Sequence, residues 1–239
     1  DVWELYHAKE DFSLTNNLAS EYPKRLAAMK DLFEQEAIAN SVYPLDDRAY
    51  ERFNAAIAGR PDLMGDRTSL TLAQGMTGIL ENTFINEKNT SKTITAKVQL
   101  EGNDRGVILC QGGKFGGWAL YMDQGKPAYT YNWFGLHSYT VAATEAISGN
   151  QAEIKLQFDY DEAGEGRGKG GKATIYVNGK QVAVGRIEKT QPALYSADET
   201  ADVGIDEATP VANKVFKDAE DSEFTGVVTE VTISIPPRK

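Results

Sequence analysis

The chain has 239 residues, of which 41% are hydrophobic and 25% charged, so a core of ordinary size can form without metals or disulfides. Its formal net charge of −10 and pI of about 4.8 argue against binding the phosphate backbone of nucleic acids or docking on anionic lipid. No run of residues approaches the ~20 apolar positions of a membrane-spanning helix. The single cysteine, Cys110, cannot form an internal disulfide and is predicted to be a buried thiol.

The N-terminal quarter of the chain has the pattern of a helix that is apolar on one side. Pro23 suits the first turn of this helix. Leu26, Met29, Phe33 and Ala37 then recur at spacings of three and four, which predicts a single apolar stripe.

A second, shorter helix is predicted over residues 46–58, because Gly59 and Pro61 follow as stop signals. Two helices with one apolar stripe each have too little core to be stable by themselves. We therefore expect this segment, residues 1–62, to pack against another surface.

From residue 63 onward the apolar period changes to two, which is typical of strands with one buried face. We predict strands at 93–100, 106–111, 118–122, 128–133, 138–142, 154–160, 173–177, 181–187 and 227–235. Asn178-Gly179 predicts a two-residue hairpin turn, and residues 123–126 predict another. Short strands at this spacing indicate an antiparallel sandwich over residues 63–239, with its last strand paired near its first.

Several short segments resemble the C-terminal part of long bacterial arylsulfatases of the formylglycine sulfatase family. The segments are 3–6 (WELY), 10–13 (EDFS), 17–19 (NLA), 42–48 (VYPLDDR), 107–118 (VILCQGGKFGGW), 131–136 (YNWFGL) and 196–200 (SADET). Their order and spacing extend the resemblance over nearly the whole chain. It implies a fold that is mainly β: an antiparallel concanavalin-like, laminin G-like jelly-roll sandwich preceded by a short helical segment, the tail of a sulfatase catalytic domain.

The resemblance implies a sulfuric ester hydrolase as the parent protein, using formylglycine and calcium, and its catalytic domain as the partner of this chain. The family forms formylglycine in a Cys-x-Pro-Ser-Arg motif, whereas Cys110 is followed by Gln111-Gly112-Gly113. No catalytic residue of the family maps onto this sequence, so the chain by itself is not expected to be an enzyme. The parent would be periplasmic or secreted if it carries a signal peptide and cytoplasmic otherwise.

Tyr129, Tyr131 and Trp133 alternate along one predicted strand and therefore share one face of it. Such a row of aromatic rings can stack on sugars, which would make the chain a lectin-like module for sulfated or other glycans. The same residues can equally form a buried core or cover a partner surface. Both interpretations remain open at the level of sequence.

Asp202, Asp206 and Glu207 form the best local cluster of hard oxygen ligands for a metal ion. Calcium takes six to eight oxygens, often from a loop with alternating acidic residues, so a structural calcium ion is one interpretation. A solvated acidic loop is the other, because the EF-hand pattern is absent.

Two other patterns give weaker signals. Residues 166–173 match a phosphate-binding loop except at the last position, where Ala173 replaces the hydroxyl residue. The pattern that follows is a strand and not a helix, so we predict a plain loop between strands. His7 and His137, the only histidines, have no supporting motif for metal binding or catalysis.

Three functional hypotheses follow from the sequence. The first is a non-catalytic accessory domain that packs on a sulfatase catalytic domain and shapes substrate access or assembly. The second is a carbohydrate-binding module, and the third is an independent hydrolase, which would need an enclosed polar pocket with perturbed titratable groups. The sequence favours them in that order and leaves the oligomeric state open.

Overall fold

The computed structural model describes residues 2–45 and 58–237. The chain divides into two compact units, Asp1–Gly59 and Arg60–Lys239. The sequence places this boundary between residues 62 and 63. The second predicted helix lies almost entirely outside the described residues.

The N-terminal part of the first unit forms helix α1 (Pro23–Ala39), which begins with Pro23 in its first turn and ends at Asn40. The predicted stripe is only partly covered: Ala37 is buried and Phe33 packs edge-on against Trp3 at 5.4 Å, but Met29 is exposed. Within the described residues, no helix is both long and apolar enough to cross a membrane.

The second unit is a sandwich of two antiparallel sheets, as predicted. Its strands in the described residues are β1 (Ser69–Leu72), β2 (Lys92–Gln99), β3 (Gly106–Gly113), β4 (Gly116–Asp123), β5 (Lys126–Trp133), β6 (His137–Ala142), β7 (Gln151–Tyr160), β8 (Lys169–Val177), β9 (Lys180–Lys189), β10 (Ala201–Val203) and β11 (Val227–Ser234). The six-stranded sheet has the order β1-β11-β2-β7-β8-β9, and the five-stranded sheet has the order β10-β3-β4-β5-β6. Strand β11 pairs with β2, the first strand that the sequence predicts, and with β1, which confirms that the last strand lies near the first.

Both predicted hairpin turns are present. Asn178 and Gly179 join β8 to β9 with φ of 49° and 80°, the left-handed values that this two-residue turn requires. Gln124 and Gly125 join β4 to β5 with φ of 50° and 74°.

Three strands differ most from the sequence predictions. The short strands β1 and β10 were not predicted, because three or four residues are too few to show a period of two. Strand β8 begins at Lys169, so half of the glycine-rich segment predicted to be a loop is strand. Its glycines allow close backbone approach: a Cβ on Gly170 would lie 2.3 Å from the carbonyl oxygen of Ile187.

The five-stranded sheet is covered on both of its faces. The inner face packs on the six-stranded sheet and forms the main core, to which Trp118, Leu120 and Tyr129 contribute. The outer face carries Cys110 and Tyr121 and is covered by the segment 211–216. Because both faces are buried, β3 and β4 are apolar almost throughout instead of alternating.

Candidate functional site

The predicted aromatic platform on β5 is wrong for two of its three residues. Tyr129 is 0% exposed and Tyr131 is 2% exposed, because the face that they share is the inner face of the sandwich. Neither ring can stack on a sugar. Trp133, the third residue, lies at the end of the strand and is only half-buried.

Tyr129 and Tyr131 instead line a buried ionic network that the sequence analysis missed. Lys92 Nζ lies 2.9 Å from Glu87 Oε2, and both side chains are almost completely buried. The other carboxylate oxygen of Glu87 accepts hydrogen bonds from Trp118 Nε1 at 2.9 Å and from the Tyr195 hydroxyl at 2.5 Å. The ammonium group of Lys92 also lies 4.2 Å from the centre of the Trp118 ring.

Electrostatics favour the ionised form of Glu87 in this buried pair. Burial by itself would raise the pKa of Glu87, but the charges of Lys92 and Lys88 and the Tyr195 hydrogen bond hold it below its ordinary value. Burial lowers the pKa of Lys92, and Glu87 opposes that shift. The network is sealed and internally paired, so it is a structural feature and not an open catalytic pocket.

The exposed aromatic residues lie one step beyond Trp133, at the turns that end β3 and β5. We call this surface the hairpin tip and define it as Phe115, Trp133, Phe134 and Leu136. Phe115, Phe134 and Leu136 are 68%, 45% and 70% exposed. Trp133 supports them from below, with its ring centre 5.2 Å from that of Phe134. A cluster of large exposed apolar side chains of this kind marks an interaction surface.

Asn132 fixes the geometry of the hairpin tip, although its own side chain is 2% exposed. Its Nδ2 donates to the carbonyl oxygen of Lys114 at 2.8 Å, in the turn after β3. Its Oδ1 accepts from the Gly135 backbone N–H at 3.0 Å, in the turn after β5. One buried amide therefore ties the two turns together, so Phe115 and Phe134 are held on neighbouring rigid loops.

Cationic groups surround the hairpin tip. Lys189 Nζ lies 4.9 Å from the centre of the Trp133 ring, and Lys114 Nζ lies 5.1 Å from the centre of the Phe115 ring. The His137 ring stacks on Trp133 at 5.9 Å and 20°. Among the described residues, no carboxylate lies within 4.0 Å of either lysine ammonium, so both charges are available to an outside group.

The predicted calcium ligands are only partly brought together. Asp202 and Asp206 are each 1% exposed and lie close together, but the side chain of Glu207 is exposed and lies outside their cluster. The third member is Cys110, whose sulfur lies within 4.8 Å of a carboxylate oxygen of each aspartate. Calcium prefers six to eight oxygen ligands, which this small sulfur-containing set does not supply.

Burial dominates the electrostatics of this second cluster. Burial raises the pKa of Asp206 to about 7. The hydrogen bond from Val211 opposes this shift, and the charge of Asp202 adds to it. Burial also raises the pKa of Asp202 and of the Cys110 thiol. No lysine or arginine of the described segments pairs with Asp202 or Asp206, in contrast to Glu87.

The remaining predicted positions add no site. His7 lies in the first unit, 3.8 Å from Glu10, whereas His137 belongs to the second unit and contacts Trp133. The basic residue Arg167 of the glycine-rich segment precedes strand β8, and no helix follows it, so phosphate would meet no helix N-terminus there.

No protein-family model and no curated protein sequence matches the chain. Solved structures match it at low identity. The CBM40 module of the Ruminococcus gnavus IT-sialidase, bound to α2,3-sialyllactose, is 12% identical with a TM-score of 0.46 over 72% of this chain and 92% of that one. The Streptococcus pneumoniae sialidase NanB is 14% identical with a TM-score of 0.46 over 73% of this chain and 26% of that one. Domains LG4-5 of the mouse laminin α1 chain are 10% identical with a TM-score of 0.39, over 74% of this chain and 41% of that one.

Proposed function

We propose that this chain is a carbohydrate-binding module that holds a glycan at the hairpin tip. The observation that carries the proposal is the exposure of Phe115 and Phe134 on two turns that a buried amide, Asn132, holds together. A preorganised apolar surface loses little conformational entropy when it binds a ligand. Exposed rings on anchored turns can contact the apolar face of a sugar ring.

The charges around the tip indicate which glycans would bind best. Lys114 and Lys189 lie beside the aromatic rings and have no carboxylate partner among the described residues. In a chain with a net charge of −10, two uncommitted cations beside an apolar surface favour an anionic ligand at that place. We therefore infer a preference for glycans that carry a carboxylate or sulfate group.

The test is binding of the purified chain to immobilised oligosaccharides, offered as matched pairs with and without an acidic group. We expect the acidic member of a pair to bind more tightly, and we expect added salt to reduce the difference. The double variant Phe115→Ser/Phe134→Ser should lose binding to both members. Val184→Ser is the matched control, because Val184 is 54% exposed on β9, away from the tip.

Two outcomes would count against this proposal. If the unsubstituted chain binds none of the oligosaccharides, it does not recognise these glycans. Equal binding by the unsubstituted chain and the Phe115→Ser/Phe134→Ser variant would show that the glycan site is not at the hairpin tip. Lys114→Gln and Lys189→Gln should reduce only the preference for the acidic member.

A second candidate function is the accessory role implied by the sulfatase resemblance. The observation that favours it is the exposure of Phe12, Leu32 and Ile38, at 92%, 54% and 66%, in the N-terminal unit. Large apolar side chains at such exposure suit contact with a partner domain. We expect the chain by itself to leave an aryl sulfate unhydrolysed, and turnover by the purified chain would contradict this accessory role.

A further inference from the structure

We propose that Cys110, Asp202 and Asp206 form a buried site for a divalent metal of borderline softness, such as Zn²⁺ or Co²⁺. These three side chains lie on the outer face of the five-stranded sheet, and none of them belongs to the hairpin tip. Metal binding there does not require the proposed glycan site.

Strand pairing places two of the three ligands side by side. In the antiparallel pair of β10 with β3, Asp202 lies directly opposite Cys110, so their side chains point to the same face. Asp206 follows on the segment that covers that face, and the Ser222 hydroxyl accepts the backbone N–H of Asp206 at 2.9 Å. All three residues are at most 1% exposed.

Two distances from the cysteine sulfur are close to those around a four-coordinate metal. Ligand sulfur and oxygen atoms around a tetrahedral zinc ion lie about 3.6 Å apart, given Zn–S of about 2.3 Å and Zn–O of about 2.1 Å. Cys110 Sγ lies 3.9 Å from Asp202 Oδ2 and 3.6 Å from the carbonyl oxygen of Ile205. With a carboxylate oxygen of Asp206, this gives one sulfur and three oxygen donors.

Hydrogen bonds orient both carboxylates, and the Thr200 hydroxyl lies 3.1 Å from each oxygen of Asp202. Asp202 Oδ1 accepts the Gly78 N–H at 2.7 Å, and Asp206 Oδ2 accepts the Val211 N–H at 2.8 Å. Such bonds orient metal ligands in proteins and increase metal affinity. The other oxygen of Asp206, Oδ1, is buried and has no hydrogen-bond partner among the described residues.

The surroundings of Asp202 and Asp206 differ from those of Glu87 in their counter-charge. Glu87, another buried carboxylate of this sandwich, is neutralised by Lys92 at 2.9 Å. Within 2–45 and 58–237 no lysine or arginine pairs with Asp202 or Asp206. A divalent cation bound between the two aspartates would neutralise both, as Lys92 neutralises Glu87.

The experiment is refolding of the full chain in Co²⁺, because the site is sealed in the folded protein. Co²⁺ is the probe, since a thiolate ligand gives it an intense near-ultraviolet charge-transfer band. We expect one equivalent to bind with that band, and displacement of Co²⁺ by Zn²⁺ should abolish it. Cys110→Ser should remove the band, while Glu207→Gln, at an exposed neighbouring position, should leave the band and the affinity unchanged.

A positioning variant separates metal binding from a purely structural role. The Thr200 hydroxyl donates to Asp202 at 3.1 Å and is not itself a ligand. Thr200→Val should therefore keep the band but weaken Co²⁺ binding by about 10- to 100-fold.

Three results would overturn the proposal. The first is that the refolded, unsubstituted chain takes up no Co²⁺. This result can be interpreted without any variant. The second is a cobalt spectrum without a thiolate band. The third is selective binding of Ca²⁺ that is lost in Glu207→Gln, which would restore the oxygen-only site predicted from the sequence. Each result leaves the glycan assay at the hairpin tip unaffected.

Discussion

The middle and the C-terminal end of strand β5 place aromatic residues of the same face in opposite environments. In its middle, Tyr129 and Tyr131 are buried beside the ion pair Glu87–Lys92. At its end, Trp133 is half-buried and supports the exposed Phe134 and Leu136. The comparison teaches that alternation assigns a residue to a face of a sheet, whereas its distance from the sheet's end decides whether it stabilises the fold or meets a ligand.

The largest expected effect on stability comes from breaking the ion pair beside the buried tyrosines of β5. Lys92→Met removes the cation and leaves the Glu87 carboxylate buried with only hydrogen bonds, which should lower the free energy of unfolding by about 3–5 kcal/mol. The matched control is Lys97→Met, because Lys97 pairs with Glu230 at 3.0 Å on the exposed face of β2. That change should cost less than about 1 kcal/mol. Equal losses in urea denaturation would show that the buried pair has no special role.

The same pair predicts a dependence of stability on pH. Because Lys92, Lys88 and Tyr195 outweigh the effect of burial, the folded pKa of Glu87 lies below 4.5, its value in the unfolded chain. The contribution of Glu87 is therefore complete above pH 4.5 and is lost as the pH falls through the folded pKa. We expect the difference in the free energy of unfolding between the unsubstituted chain and Lys92→Met to decrease on acidification from pH 7 to about pH 3. A gap that widens on acidification would contradict this sign.

A smaller effect distinguishes the two buried tyrosines. The Tyr131 hydroxyl accepts the Gln191 backbone N–H at 2.7 Å, so Tyr131→Phe leaves a buried donor unpaired and should cost about 1–3 kcal/mol. The Tyr129 hydroxyl is buried without a hydrogen-bond partner among the described residues, so Tyr129→Phe should be neutral or slightly stabilising. The two variants remove the same atom from one face of one strand. Thermal unfolding of both, side by side, measures the difference.

Much of the sandwich could be predicted from the sequence because its strands alternate or follow clear turn signals. Lys92–Gln99 and Gln151–Tyr160 keep a period of two, and Asn178-Gly179 fixes the hairpin that follows β8. Strand β10 could not be predicted, since a three-residue strand depends on its partner β3 for its conformation. The sandwich therefore follows from local pattern, whereas its short edge strands follow from tertiary pairing.

The candidate sites were harder to predict because they depend on depth and long-range pairing. Trp133 was singled out, but Phe115, Phe134 and Lys189 were not, and only the pairing of turns through Asn132 brings the two phenylalanines together. Glycine-flanked aromatic residues at the ends of strands, as in Lys114-Phe115-Gly116 and Phe134-Gly135, are the signal that could have indicated the tip.

The buried polar clusters show the same limit. Lys92 and Glu87 are five residues apart in a polar stretch that gives no sign of burial, and Cys110 meets Asp202 across 92 residues. In each case the chemistry depends on which strands pair. A composition or motif search treats these residues separately and cannot detect the contact.

The smallest expected effect on stability lies at the exposed end of the comparison. Leu136 is 70% exposed, so Leu136→Ser should change the free energy of unfolding by no more than about 0.5 kcal/mol. Leu120→Ala, in the buried β4, should cost about 2–5 kcal/mol because it leaves a cavity in the core. If the hairpin tip binds glycans, Leu136→Ser should nevertheless weaken that binding, while any folded fraction of Leu120→Ala keeps it. A large loss of stability in Leu136→Ser would instead show that the hairpin tip contributes to the stability of the fold. Solvent exposure would then not distinguish the ligand-binding end of β5 from its structural middle.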